Sequence, residues 1–104
     1  MKFTLVSDVN GVDRWFDKSS CREFPYNPID MNGLKLSRRD MTNVIEKLLH
    51  TDNNKWILET TRPGESPTYE QMEARDASIW LKINGYEDEL KEFSLENILN
   101  EAKL

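Results

Sequence analysis

Two residues of this 104-residue sequence have the chemistry of a nucleophile and its base. Cys21 is the only cysteine and His50 the only histidine. An imidazole can activate a thiolate for covalent catalysis, and Arg22 beside Cys21 favours a lowered thiol pKa. No third group that would orient the imidazole can be assigned. We therefore expect an unreactive Cys21, and a His50 whose protonated ring stabilises the end of a helix.

The sequence lacks the residue patterns of the common metal and nucleotide sites. Zinc sites use three or four Cys and His ligands, and the chain has two such residues in all. Asp8, Asn10 and Asp13 surround Gly11 without the spacing or the final glutamate of a calcium loop. All the glycines stand alone in turns, so no phosphate-binding loop is predicted. We expect no metal, no cofactor and no enzyme activity, with acid–base chemistry by a carboxylate pair as the remaining catalytic alternative.

Acidic residues are concentrated in the second half of the chain. The formal net charge is −5 and the pI is near 4.9, which argues against binding to nucleic-acid phosphates. Residues 1–52 carry eight Lys or Arg and eight Asp or Glu, whereas residues 53–104 carry six and eleven. A surface of this kind attracts a basic partner and speeds their encounter.

Aromatic residues beside the densest acidic run mark the candidate binding surface. On the strand predicted at residues 78–83, Trp80 points to the face opposite the aliphatic side chains, so we expect it to lie outside the core. Tyr86 directly precedes the acidic run. Aromatic side chains dominate the energetics of protein interfaces. The predicted partner-binding residues are Trp80, Tyr86, Glu87, Asp88, Glu89 and Glu92.

Residues 37–50 have the clearest helical periodicity in the chain. Their apolar residues recur at i, i+3, i+4, i+7 and i+8, which places them in one stripe of an α-helix. Ser37 is suited to cap the helix, and the polar residues 51–54 are suited to end it. The predicted stripe consists of Met41, Val44, Ile45, Leu48 and Leu49.

Strand-forming residues in the first part of the chain predict a β-hairpin. Residues 2–6 and 12–16 flank Asn10-Gly11, the preferred pair for a two-residue turn. Residues 17–33 contain two prolines and few periodic apolar positions, which predicts an ordered loop.

The second half of the chain predicts four strands and a final helix. Residues 55–61 alternate as a strand does, and residues 68–74 favour a strand over a short helix that would begin at Pro67. Residues 78–83 predict another strand, and the charged residues 86–93 predict an exposed edge strand. Ser94 is then placed to cap a last amphipathic helix.

The predicted fold is a single α+β domain over residues 1–104, in the order β-β-α-β-β-β-β-α. Two amphipathic helices pack on one face of an antiparallel sheet of about five to six strands. No apolar run approaches the ~20 residues of a membrane span, and the N-terminus lacks a signal-peptide core. A lone cysteine excludes an internal disulfide and agrees with a reducing compartment. We expect a cytoplasmic protein that binds neither nucleic acid nor membranes.

No motif identifies a family. In size, charge and lack of catalytic groups the chain is similar to the small acidic α+β immunity proteins that bacteria make against their own toxins, and to small phage-encoded inhibitors. This resemblance implies an inhibitor that blocks a basic, nuclease-like toxin by surface complementarity. The alternative is a small regulatory or structural module that forms homo-oligomers or binds a small molecule.

Overall fold

The computed structural model describes residues 3–28 and 44–104, and these residues form an α+β fold with six strands and three helices. The strands are β1 (Phe3–Ser7), β2 (Asp13–Asp17), β3 (Arg22–Pro25), β4 (Ile45–His50), β5 (Trp56–Thr61) and β6 (Thr68–Met72). The helices are α1 (Ala74–Ile83), α2 (Glu87–Glu92) and α3 (Glu96–Glu101), and a 3₁₀ turn spans Lys18–Ser20. The α+β class is therefore confirmed, and the described residues contain three helices where two were expected.

The six strands form one mixed sheet in the order β2-β1-β6-β5-β4-β3. Every described pair of neighbours is antiparallel except β1 and β6, which run parallel through Ser7 and Glu70. The expectation of a purely antiparallel sheet is wrong at this pair. β1 and β6 are distant in sequence, and side-chain alternation within a strand carries no information about the direction of a distant neighbour.

The N-terminal hairpin of β1 and β2 is confirmed, but its turn is longer than two residues. Residues 8–12 connect the strands, and the Gly11 N–H donates to the Asp8 carbonyl at 2.9 Å. The Asp8 carboxylate accepts from the N–H groups of Asn10 and Val12, both at 2.9 Å. Gly11 has a φ of +77°, which a residue with a side chain seldom adopts.

The helix predicted over residues 37–50 is wrong in the part that the structure describes. Residues Ile45–His50 form β4, between β3 and β5, while residues 37–43 lie outside the described part of the chain. Leu48 and Leu49 are adjacent and both 0 % exposed. Neighbouring residues of a strand point to opposite faces, so both are buried only in a strand covered on both sides. Such a strand has the same apolar residues as a helical stripe.

The loop predicted over residues 17–33 is also wrong in part. The 3₁₀ turn and β3 lie within it, and residues 29–33 are outside the described part. β3 is short, and Phe24 is its one buried residue. Its sequence therefore lacks the repeated alternation by which a strand is recognised.

The strand predicted at residues 78–83 is wrong, because these residues belong to α1. Alternating Ile79, Leu81 and Ile83 suggested a strand, but Ile83 is 52 % exposed. The buried residues follow the i, i+1, i+3, i+4 spacing of one helix face. They are Ala77, Ser78, Trp80 and Leu81.

The edge strand predicted at residues 86–93 is wrong as well, because it contains α2 with Leu90 as its buried anchor. The strand prediction for residues 68–74 is confirmed by β6, although Ala74 already begins α1. The last helix is confirmed by α3, but Ser94 does not cap it.

Two left-handed residues explain how the three helices follow one another so closely. Gly85 (φ 81°) ends α1, where the Tyr86 N–H donates to the Leu81 carbonyl at 2.9 Å. Ser94 (φ 57°) ends α2 in the same way, with the Leu95 N–H donating to the Leu90 carbonyl at 2.8 Å. Both are Schellman motifs, so Ser94 ends one helix instead of starting the next.

The sheet separates two apolar cores. The helix-side core contains Phe24, Leu48 and Trp56 from the sheet, together with buried residues of the helices. Its described sheet residues come from β3 to β6, and none comes from β1 or β2. The second core lies on the opposite face and consists of Val6, Phe16, Leu49 and Ile57, with Cys21 and Tyr69 packed against it.

A short connection forces the sheet to curl around the second core. β2 and β3 are the two edges of the six-stranded sheet, about 24 Å apart if it were flat. The four residues 18–21 that join them span at most about 18 Å between flanking Cα atoms. Lys18 reaches across the concave face, where its Nζ lies 2.6 Å from Glu59 Oε2. The Tyr69 hydroxyl donates to the same oxygen at 2.8 Å.

The Lys18–Glu59 contact predicts a specific pH dependence of stability. Burial opposes ionisation of Glu59, but hydrogen bonds from Lys18 and Tyr69 hold its pKa below the usual 4.5. The hydrogen bond to Glu59 raises the pKa of Lys18 above 10.5. The Glu59 contribution is therefore present above pH 4.5 and is lost as the pH falls through its folded pKa. The Lys18 contribution is present below pH 10.5 and is lost as the pH rises through its folded pKa.

We predict that Glu59→Gln lowers the free energy of unfolding at pH 7 by about 1–3 kcal/mol, because the Lys18 ammonium loses its charged partner. The difference from the original protein shrinks as the pH falls through the folded pKa of Glu59. Urea unfolding at pH 3 to 7 measures both effects. Glu65→Gln, in the exposed turn before β6, is the matched control. Equal stability of Glu59→Gln and the original protein at pH 7 would contradict this role.

Candidate functional site

The predicted acidic residues lie on α2, and one of them pairs with a lysine of α1. Glu87 Oε1 is 2.5 Å from Lys82 Nζ, and this hydrogen bond lowers the pKa of Glu87. Asp88 is exposed and has no ion pair within the described residues. A basic partner at this helix would therefore meet Asp88 unpaired, and would compete with Lys82 for Glu87.

Arg22 of β3 pairs with the other two acidic residues of α2. Its guanidinium nitrogens lie 2.6 Å from Glu92 Oε2 and 3.7 Å from Glu89 Oε2. The guanidinium also lies over the rings of Phe24 and Phe93, at 4.9 Å and 5.5 Å from their centroids. These contacts hold α2 against the sheet, so Glu89 and Glu92 have a structural partner within the chain.

Trp80 is buried in the helix-side core and Tyr86 is partly buried against it, so the expectation that Trp80 lies outside the core is wrong. Trp80 is 7 % exposed, because the helical face on which it lies is turned toward the sheet. Its Nε1 donates to Glu46 Oε1 at 3.0 Å, and its ring is stacked with that of Tyr86. The Tyr86 hydroxyl donates to the Pro25 carbonyl at 2.6 Å. Burial, followed by the charge of Glu89, raises the pKa of Tyr86.

The six predicted partner-binding residues therefore divide into two groups. Two rings anchor the helices, and four carboxylates lie on the outside of α2 or at its contact with Arg22. Binding of a partner at α2 stays a prediction. It now depends on the exposed carboxylates of α2, which are those of Glu87, Asp88 and Glu92.

Cys21 packs against the concave core and is not activated by its neighbours. Its thiol donates to the Asp17 carbonyl at 3.5 Å. Burial raises the pKa of the thiol, and the carboxylates of Asp52 and Asp17 add to this effect. Arg22, which the sequence suggested as an activating cation, points to the other face of the sheet.

His50 lies on the helix side of the sheet, so the structure does not bring it together with Cys21. Its ring packs between Trp56 and Phe93, with centroids 4.3 Å and 4.6 Å away. Its Nε2 is 2.7 Å from Asn54 Oδ1. The expected position at a helix end is wrong, because His50 is the last residue of β4. Its contacts are those of a packing residue.

We predict slow alkylation of Cys21 in the folded protein, because a raised pKa leaves little thiolate at neutral pH. Iodoacetamide labelling from pH 7 to 10, with and without 8 M urea, measures the rate in the folded and unfolded chain. The folded protein should react more slowly than the unfolded chain at pH 8. Equal rates in both conditions would contradict the prediction.

Residues 3–28 and 44–104 contain no group of three or more His, Cys, Asp and Glu side chains that could hold a metal ion. Over the same ranges no helix is both long and apolar enough to cross a membrane.

Three exposed apolar side chains on the N-terminal hairpin form a surface that we call the β1–β2 patch. Phe3 is 68 %, Leu5 73 % and Trp15 59 % exposed. Leu5 lies directly opposite Trp15, and the Phe3 and Trp15 ring centroids are 4.4 Å apart. Exposed apolar clusters of this kind mark interaction sites in soluble proteins.

The patch lies on the same face of the sheet as the helices. Ser7 is paired with Glu70, Glu70 with Leu58, and Leu58 with Leu48, which belongs to the helix-side core. Paired residues share a face, and so do residues two apart in a strand. The described helices pack on β3 to β6, so no element among residues 3–28 and 44–104 covers the β1–β2 part of this face.

Carboxylates surround the patch. Asp13 and Asp17 flank Trp15 at two-residue spacing, so all three side chains share one face. Glu70 lies on the same face of the neighbouring β6. Within the described residues none of these three carboxylates has an ion pair, although Asp17 accepts hydrogen bonds from Ser19. The patch is therefore an apolar centre with an acidic rim.

The sequence contained a signal for this patch. Strand β1 has apolar residues on both faces, Phe3 and Leu5 on one and Val6 on the other. A strand that is apolar on both sides is buried on both sides or carries a binding surface. β2 is also apolar on both faces, because the adjacent residues Trp15 and Phe16 point to opposite sides of the sheet.

A cleft of about 440 Å³ lies at the end of β6, beside the β1–β2 turn. Its volume falls in the range of small-molecule sites, so it is the feature on which the small-molecule alternative rests. Residues from the sheet, the turn and the helices line it, including Val9, Lys55, Trp56, Met72, Phe93 and Ile98.

Comparison of the chain with protein-family models, with curated proteins and with solved structures finds no match. The function of the chain is therefore inferred from the geometry and charge of the described residues.

Proposed function

We propose that this protein is a binding module that inhibits a basic protein partner by covering its positive surface, in the manner of the toxin-immunity class. The observation that carries the proposal is the β1–β2 patch, with its apolar centre and its rim of carboxylates. A patch of this composition combines the two features that make an interface, an apolar anchor and complementary charge.

The apolar centre supplies affinity. Phe3, Leu5 and Trp15 are each more than half exposed, and fully burying such a side chain is worth roughly 1.5–3 kcal/mol. Tryptophan is among the residues that most often dominate an interface. Trp15 is therefore the expected hot spot of the surface.

The acidic rim supplies selection and speed. Asp13 and Glu70 are exposed and have no cation of their own chain among the described residues, so they are free to pair with a partner's Lys or Arg. Opposite charges across an interface increase the association rate and disfavour partners of the wrong sign. The exposed carboxylates of α2 add a second acidic surface, next to β3.

A nuclease-like toxin fits this chemistry. An enzyme that cleaves nucleic acid needs a positive cleft to hold phosphates, and an acidic protein competes for that cleft by charge alone. Inhibition by coverage requires a complementary surface and no reactive group. This matches a chain whose cysteine and histidine are packed on opposite faces of a sheet.

The test is titration of the purified full chain with the purified product of the adjacent gene, since an inhibitor must be present whenever its target is. We expect a 1:1 complex, inhibition of the partner, and at least tenfold weaker binding between 50 and 500 mM salt. Isothermal titration calorimetry and an activity assay measure these effects.

Two charge-reversed variants locate the binding surface. Asp13→Lys should weaken the complex at least tenfold if the β1–β2 patch binds, and Asp88→Lys should do so if α2 binds. Glu65→Lys changes the net charge equally at an exposed turn residue outside both sets of carboxylates, so it is the matched control and should bind like the original protein. If neither this gene product nor any other basic protein of the source cell forms a complex when purified, the proposal fails. It also fails if binding is indifferent to salt and to both reversals.

A further inference from the structure

We infer that the basic partner of the proposed function docks as a β-strand added antiparallel to the free edge of β2, with a basic–apolar–basic pattern at alternate residues. This inference rests on the proposed function and specifies how the partner is recognised. Strand addition combines main-chain hydrogen bonds with pockets or pairs for alternate side chains.

The edge of β2 is open. β2 is the first strand of the sheet, and no strand among the described residues pairs with its outer side. Alternate residues of an edge strand direct unpaired N–H and C=O groups outward. β2 contains no proline, and Asp13, Arg14 and Trp15 are all exposed.

The opposite edge of the sheet is less suited to strand addition. β3 has four residues and ends in Pro25, which has no N–H to donate. Arg22 at its start is held by Glu89 and Glu92 of α2. Proline is a common protection of an edge strand, and β2 contains none.

Three side chains of β2 specify the sequence of the added strand. Asp13, Trp15 and Asp17 share the face that carries the β1–β2 patch, and residues of an added strand lie opposite them at the same spacing. Lys or Arg opposite each aspartate pairs with its charge. An aliphatic residue opposite Trp15 extends the apolar centre, so the code is basic, any, apolar, any, basic.

The same charges disfavour a second copy of this chain as the occupant. If β2 paired with itself about a twofold axis at Trp15, Asp13 would lie opposite Asp17 twice. An axis at Arg14 would place two arginines together, and an axis at Phe16 would place Arg14 opposite Lys18. Like charges directly opposite each other destabilise a strand pair, so the edge selects a basic strand over its own copy.

The probe is the synthetic peptide acetyl-Thr-Lys-Thr-Ile-Glu-Lys-Thr-amide, titrated into the ¹⁵N-labelled full chain and followed by NMR. We expect amide shifts confined to β1, β2 and their turn, slower hydrogen exchange of the outward β2 amides, and a Kd below about 1 mM. Two further peptides carry N-methyl groups on alternate residues, one set on the odd and one on the even positions. In an added strand only one set faces β2, so one methylated peptide should lose at least tenfold in affinity and the other should not.

Protein variants provide the controls. Trp15→Ala and Asp13→Lys should each weaken peptide binding at least tenfold, whereas Arg14→Ala, on the same strand and the opposite face, should change it less than threefold. A peptide with both lysines replaced by glutamate should not bind. Urea unfolding verifies that each variant is folded, which is expected because Trp15 is mostly exposed.

The inference is overturned if the two methylated peptides bind alike, if the shifts map to β3 or the helices, or if the chain alone forms a dimer through β2 in sedimentation experiments. It is also overturned if two results occur together. Peptide at 2 mM shifts no β2 amide resonance, and the β2 amides exchange hydrogen as fast in the complex with the adjacent gene product as in the free chain. In each of these cases a salt-dependent complex with that gene product would leave the proposed function standing. Absence of that complex is the separate failure of the proposed function.

Discussion

The four-residue connection between the two edges of the sheet is the constraint on which this fold depends. Because residues 18–21 are too short to cross a flat six-stranded sheet, the sheet curls. The curl encloses Val6, Phe16, Leu49 and Ile57 on the concave side. Lys18 comes from this connection, and its contact with Glu59 joins the β2 side of the sheet to its middle. Glu59 is buried and Lys18 is partly exposed, so the pair adds little net stability, but a packing that buried Glu59 away from Lys18 would leave its charge without a partner.

The curl also determines what the helices cover. With the concave face occupied by its own core, the helices pack on the other face, where Trp80 and Leu81 meet Leu48 and Trp56 of the central strands. Two Schellman motifs turn the chain sharply after α1 and α2, so the three short helices stay together over β3 to β6. The hairpin of β1 and β2 extends beyond them. The three helices of the described residues are too short to cover the whole face, and the apolar patch lies on the part that they leave exposed.

The sequence predicted the α+β class, the N-terminal hairpin, β5, β6 and the last helix, because each has a local signature in turn residues or periodicity. It failed where local patterns have two meanings. Adjacent Leu48 and Leu49 fit a helical stripe and a strand buried on both faces, and only the position of β4 between β3 and β5 distinguishes them. Ile79, Leu81 and Ile83 alternate as in a strand, yet the core contains the adjacent pair Trp80 and Leu81 while Ile83 is exposed. The acidic residues of α2 are evident in the sequence. Their pairing with Arg22 is not, because it is a contact between residues far apart in the chain.

The parallel pair of β1 and β6 has a kinetic consequence. The hairpin forms from neighbouring residues, but its one attachment to the rest of the sheet, Ser7 beside Glu70, joins strands that are more than half the chain apart. Contacts of such long sequence separation form late, because a large loop must close before they contribute. On the ribosome the hairpin emerges before β6, with which β1 pairs, and before Leu49 and Ile57, which complete the concave core around Val6 and Phe16. During that interval both of its faces are exposed to water.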